Sequence, residues 1–141
     1  MKYVLDSSVA LKWVLPEPDS DKALRLRSDF QSSIHDLIAP DFFPVEVGHA
    51  LTRGERQGRA AIVDGWRFWL DVMADCPHLV PHLPLMPRAY SISSTMRQGL
   101  YDCLYVAVAE QEQCEFVTSD DRLVRKLGAA FPFIRPLSTF P

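Results

Sequence analysis

The stretch YDCLYVAVAEQEQCEFVTSDD, Tyr101 to Asp121, joins two kinds of chain end to end. Its first half is apolar and rich in helix formers; from Cys114 it turns to Phe116, Val117 and Thr118, which favour strands. A helix over 101–113 followed directly by a strand over 114–120 is the unit from which parallel sheets are built. From residue 102 to 114 the helix descends about 18 Å, at 1.5 Å per residue. From residue 115 to 120 the strand climbs back by about 17 Å, at 3.3 Å per residue. The two displacements nearly cancel, so Asp102 and Asp120 are expected at the same edge of a sheet.

Outward from this stretch the alternation continues. YVL, residues 3–5, reads as a short buried strand that runs into Asp6, and residues 7–15 as a short helix stopped by Pro16 and Pro18. An amphipathic helix over 19–32 carries Ala23, Leu24, Leu26 and Phe30. LIAP, 37–40, is a second strand, after which Asp41 caps a helix reaching about residue 57, with Pro44 in its first turn. A further helix over 60–75 holds Trp66, Phe68 and Trp69. PHLVPHLPLMP, 77–87, contains four prolines and fits a loop with a short edge strand. Helical pattern over 87–98 breaks at Gly99; a helix over 121–127 ends at Gly128 as its C′ glycine, and a last strand lies near 133–135. The fold class is α/β: a three-layer α/β/α sandwich around a central parallel sheet, with residues 1–141 as a single domain.

Composition narrows the function classes. With 48% hydrophobic and 23% charged residues the chain is an ordinary globular one. No apolar run approaches the roughly 18 residues needed to cross a bilayer, so no membrane association is expected. Cys76, Cys103 and Cys114 form no CxxC pair, which suits free thiols in a reducing, cytoplasmic setting. The net charge of −3 excludes a generally basic nucleic-acid coat. It leaves room for local basic patches at Arg53, Arg56, Arg59 and Arg67, or at Arg122, Arg125 and Lys126.

In a parallel sheet the C-terminal ends of the strands and the starts of the following helices share one edge, where ligands bind. Asp6 and Asp120 end strands there, Asp102 opens a helix there, and Glu46 lies in an early turn of the helix after LIAP. Taken singly, Asp6 and Asp120 read more readily as helix caps and Glu46 as a solvated helix residue. Taken together, four converging carboxylates repel unless a cation lies among them. All-oxygen ligation suits Mg²⁺ or Mn²⁺, which can activate water for phosphodiester hydrolysis. Ser8 and Thr118, each two residues from an acid, are candidate supporting hydroxyls.

Four segments in order, YVLDSSVALKW, IAPDFFPVEVGHAL, GLYDCLYVAVAE and FVTSDDRL, resemble the acidic motifs of the PIN-domain family, and within it the VapC-like toxin ribonucleases. The resemblance covers nearly the whole chain. It implies a metal-dependent endoribonuclease with Asp6, Glu46, Asp102 and Asp120 as catalytic metal ligands and Ser8 and Thr118 in support. It also implies an RNA substrate, a homodimer and a cognate antitoxin. His49 stands where the family often has Asn, and Cys103 where it often has Ala, which bears on substrate preference more than on activity.

Other readings are weaker. A phosphohydrolase of haloacid-dehalogenase type wants a second carboxylate two residues after Asp6, where this chain has Ser8. A receiver-like module lacks its Asp after the third strand, and a non-catalytic PIN-like binding module should have lost one of the acids. Cys103 has no neighbour placed to activate it as a nucleophile, and His78 and His82 are separated by Pro81, so they read as loop histidines. Gly54 and Gly58 lie on an arginine-rich segment unlike a membrane helix. Trp66, Phe68 and Trp69 cannot all face one core stripe; core packing accounts for most of them, and the secondary reading is that some line a dimer seam or an antitoxin groove.

Overall fold

The computed structural model of the chain covers residues 1–141. Strand β1 is Lys2–Leu5, and Tyr3, Val4 and Leu5 are all buried, as a strand covered on both faces requires. The others are β2 (Asp36–Pro40), β3 (His78–Val80), β4 (Glu115–Thr118) and β5 (Ile134–Pro136). They form one sheet in the order β3-β2-β1-β4-β5, with every neighbouring pair parallel. β1 is therefore central: Val4 stands opposite Ile38 on one side and Phe116 on the other.

The chain steps from β1 through β2 to β3 in one direction, then crosses back to lay β4 and β5 on the other side of β1. Right-handed crossovers send these two sets of connections to opposite faces. The first set contains α1 (Ser7–Leu11), α2 (Ser20–Gln31), α3 (Phe43–Arg56) and α4 (Ile62–Ala74). The second contains α5 (Met86–Met96), α6 (Leu100–Glu112) and α7 (Asp121–Leu127). Each layer has its own polar ties. Arg27 of α2 reaches Asp75 at 2.7 Å and Asp71 at 2.8 Å beside α4, while Arg88 of α5 holds Glu110 of α6 at 2.7 Å. The expected three-layer α/β/α sandwich is the observed one.

Helix α6 lies across β1, β2 and β4, and Cys103 through Ala109 are buried without a break. A helix apolar on every side needs cover on every side, which the sheet and α5 supply. No helix is long and apolar enough to cross a membrane. On α4, Trp69 is half-buried and donates its indole N–H to the Pro44 carbonyl, at 2.9 Å. Trp66 stacks flat on it, with ring centroids 4.9 Å apart, and is exposed.

Three local expectations are corrected. The first helix stops at Leu11, not residue 15, because Lys12, Trp13 and Val14 bond three residues back rather than four. Lys12 and Trp13 also bond forward, to the Pro18 and Ala23 carbonyls, which pulls the chain into the next segment. Asp41 does not cap α3, which starts at Phe43; its carboxylate pairs instead with His82 Nδ1, at 2.7 Å. Gly128 is not a left-handed C′ glycine: its φ is −59°. A Cβ there would lie 2.5 Å from the Val124 carbonyl oxygen, so the position excludes a side chain on steric grounds. Gly128→Ala is therefore expected to cost about 1–3 kcal/mol, read as a lower urea midpoint at unchanged m-value.

Candidate active site

In the order β3-β2-β1-β4-β5 the connections diverge between β1 and β4, and a crevice opens there at the C-terminal ends of the strands. β1 and β4 stay paired up to that point, with Leu5 opposite Val117, and the Asp6 N–H still bonds the Val117 carbonyl at 3.0 Å. Asp6 is thus held at the mouth of the crevice by the sheet itself. Thr118, the last residue of β4, is fully buried and donates its hydroxyl to Asp6 Oδ2 at 2.6 Å. The same Thr118 oxygen accepts the Asp120 N–H at 3.0 Å. Ser8 donates to Asp6 Oδ2 at 2.9 Å and accepts the Ser119 N–H at 3.2 Å. Two hydroxyls therefore tie the end of β1 to the loop after β4.

Glu46, in the first turn of α3, accepts the Tyr105 hydroxyl at 2.7 Å and the Ser7 hydroxyl at 3.3 Å, both on Oε1. Asp102, in the first turn of α6, accepts the Gln98 side-chain amide on Oδ2 at 2.8 Å. Asp120 caps α7, taking the Arg122 and Leu123 N–H groups on Oδ1 at 3.0 and 3.3 Å. In each acid these side-chain bonds use one oxygen and leave the other for a ligand. None of the four forms an ion pair with Lys, Arg or His.

The four acids feel one another in a chain. Burial pushes the Asp6 carboxyl up from 3.8 to about 6, the Thr118 and Ser8 bonds oppose this, and the Asp102 charge adds to it. Burial likewise lifts Glu46 from 4.5 to about 7, against the Tyr105 bond and with the charges of Asp6 and Asp102. Asp102 is raised by burial and by Asp120, with Gln98 opposing. The six residues expected at this edge, the four acids with Ser8 and Thr118, all stand there. The structure does not gather three or more acids into a ready-made cage.

Such a donor set fits Mg²⁺ or Mn²⁺: hard oxygens, uncompensated negative charge, and an open arrangement for an ion that keeps several waters and few carboxylates. Ser7, Gln98 and Tyr105 were missed. Tyr105 lies one turn after Asp102 on the same helix face, a signal the spacing did carry. Cys103 is no nucleophile: burial and then Asp102 push its thiol up to about 11.

Sheet order and acids at the β1/β4 switch define an acidic α/β site of a known kind. The PIN domain family model matches residues 3–128. Ribonuclease VapC1 of Mycobacterium tuberculosis is 34% identical over 116 residues, 75% of this chain and 77% of that protein. Among solved structures, PAE2754 from Pyrobaculum aerophilum aligns with a TM-score of 0.70 at 21% identity, covering 99% of this chain and 94% of its own. VapBC2 from Rickettsia felis, bound to a DNA fragment from their promoter, aligns with a TM-score of 0.65 at 12% identity, covering 96% and 97%. These two likenesses speak to the fold. The chain belongs to the PIN-domain family, where it stands with the VapC-like members.

A pH dependence follows from the raised carboxyls. Asp6 and Glu46 both titrate higher in the folded chain than in the unfolded one. Their contribution to stability is full below about pH 4 and is lost as pH rises through about 6 to 7. In chelator, the melting temperature is expected to fall between about pH 5 and about pH 8, and less steeply in Glu46→Gln. A divalent cation, taking only the ionised acids, should flatten or reverse that slope.

Proposed function

We propose that this chain is a Mg²⁺- or Mn²⁺-dependent endoribonuclease, the toxin of a toxin–antitoxin pair, that hydrolyses RNA phosphodiester bonds. Membership of the PIN-domain family and the identity with Ribonuclease VapC1 support the activity. The observation that carries the mechanism is the split use of each carboxylate. One oxygen is spent on the scaffold, the other is left over, and no basic side chain neutralises the set.

The remaining oxygens of Asp6, Glu46, Asp102 and Asp120 would hold the cation, a few directly and the rest through its waters. When bound, the cation supplies positive charge to the phosphodiester and lowers the pKa of an attacking water. Ser8 and Thr118 keep Asp6 from rotating, and Gln98 does the same for Asp102. Burial, then the charges of Asp6 and Glu46, push the Tyr105 phenol well above its usual 10. It stays protonated at neutral pH and remains a donor to Glu46.

The expected partners follow the same reading. A cognate antitoxin and a second copy of the chain both need an apolar surface. Ile62, Val63, Trp66 and Leu70 expose one along α4. A double Trp66→Ala, Trp69→Ala variant that keeps its fold by circular dichroism should lose antitoxin binding, self-association or both. If both survive unchanged, this face is not the docking surface.

The decisive assay is internal cleavage of RNA by the purified chain in Mg²⁺ or Mn²⁺, stopped by chelator. Asp6→Asn keeps the shape of the side chain and removes its charge, so it should abolish cleavage without unfolding the protein. Thr118→Val, which removes only the supporting hydroxyl, should cost about 10- to 100-fold in activity. Full activity in the Asn variant would sink the assignment of the site.

A further inference from the structure

A cavity of about 460 Å³ opens directly beside Glu46, lined by Phe42, Val45, Glu46, His49 and Tyr101. Here exposed aromatic surface adjoins the acid cluster. Tyr101 precedes Asp102 in the chain and is 61% exposed, although it is a large aromatic at a helix start. Phe42 is half-buried and held edge-on by Tyr101, Tyr105 and His82, with centroids 5.0, 5.6 and 6.1 Å away. The Asp41 carboxylate in turn fixes the His82 ring. His49 is exposed one turn beyond Glu46 on α3 and makes no side-chain hydrogen bond or ion pair within the chain, so both ring nitrogens are open to a ligand.

Resting on the ribonuclease reading, we propose that this cavity is a base-binding subsite: it seats one unpaired nucleobase adjacent to the scissile phosphate. Tyr101 and Phe42 supply the stacking surface, and His49 reads the edge of the base. A phosphate is a poor occupant, because no Lys or Arg lines the cavity to pair with it. A base is neutral, flat and polar at its rim, which matches aromatic walls with a single imidazole. The subsite requires single-stranded RNA, since only an unpaired base can leave its helix and stack on a side chain. The cavity shares Glu46 with the acid cluster, so a base seated there keeps its own sugar–phosphate at the site of cleavage.

The test separates this subsite from the cleavage chemistry. In chelator, where no cation activates water, the chain is titrated against a short single-stranded oligoribonucleotide, and against the same strand carrying an abasic residue at each position in turn. The parent should bind the intact strand about 5- to 100-fold more tightly than the strand abasic at one particular position. Tyr101→Ala should erase that difference, while Tyr101→Phe keeps it. His49→Ala should keep stacking but lose preference among the four bases at that position, in binding and in the map of cleavage sites.

A parent that binds intact and abasic strands alike overturns the subsite, whatever its cleavage activity. A parent that discriminates them but cuts no RNA supports the subsite and defeats the ribonuclease reading instead. If Tyr101→Ala leaves the difference intact and changes only the sedimentation of the chain, the cavity is a protein contact and the base assignment is wrong.

Discussion

The Thr118 hydroxyl is the bond on which the rest depends. It is fully buried, it donates to Asp6 at 2.6 Å, and it accepts from the Asp120 backbone. One oxygen atom thereby joins the ends of two adjacent strands and settles where two of the four acids stand. It can do so only because β1 and β4 are neighbours, which in turn requires the chain to cross back over β1 after β3. Topology, register and site geometry are in this sense one constraint.

The site opposes the stability of the fold that carries it. Burial and mutual repulsion raise Asp6, Glu46 and Asp102, and no basic residue relieves them. The scaffold answers with hydroxyls and an amide, which hold carboxylates in place without neutralising them. Helix α6 shows how the cost is contained. It presents Asp102 to the crevice and the Tyr105 hydroxyl to Glu46, while the rest of its middle is packed into the core. The acids are therefore strained electrostatically but not free to move apart.

Much of this was legible in the residues, and what was not has physical reasons. The strands around Val4 and Phe116 were clear because a central parallel strand is an unbroken apolar run. The helix-then-strand arithmetic from Asp102 to Asp120 needed only two rises per residue. The acids were legible because every one follows a strand or opens a helix. Helix ends were less so: α1 stops at Leu11 through forward bonds of Lys12 and Trp13, partners that no local rule foretells. Asp41 looked like a cap, but His82, 41 residues away in the chain, took its carboxylate. Tyr105, Ser7 and Gln98 escaped notice because apolar context hid the first and ordinary polarity hid the others.

Both margins of the sheet are three-residue strands set among prolines: Pro77 and Pro81 flank β3, and β5 closes on Pro136. A proline has no N–H to offer a new neighbour, and a strand so short gives few others. Lateral growth of the sheet by a strand from another molecule is thereby disfavoured at both margins. Assembly through the helices is favoured by comparison, with the recognition code written in side chains and not in the peptide backbone.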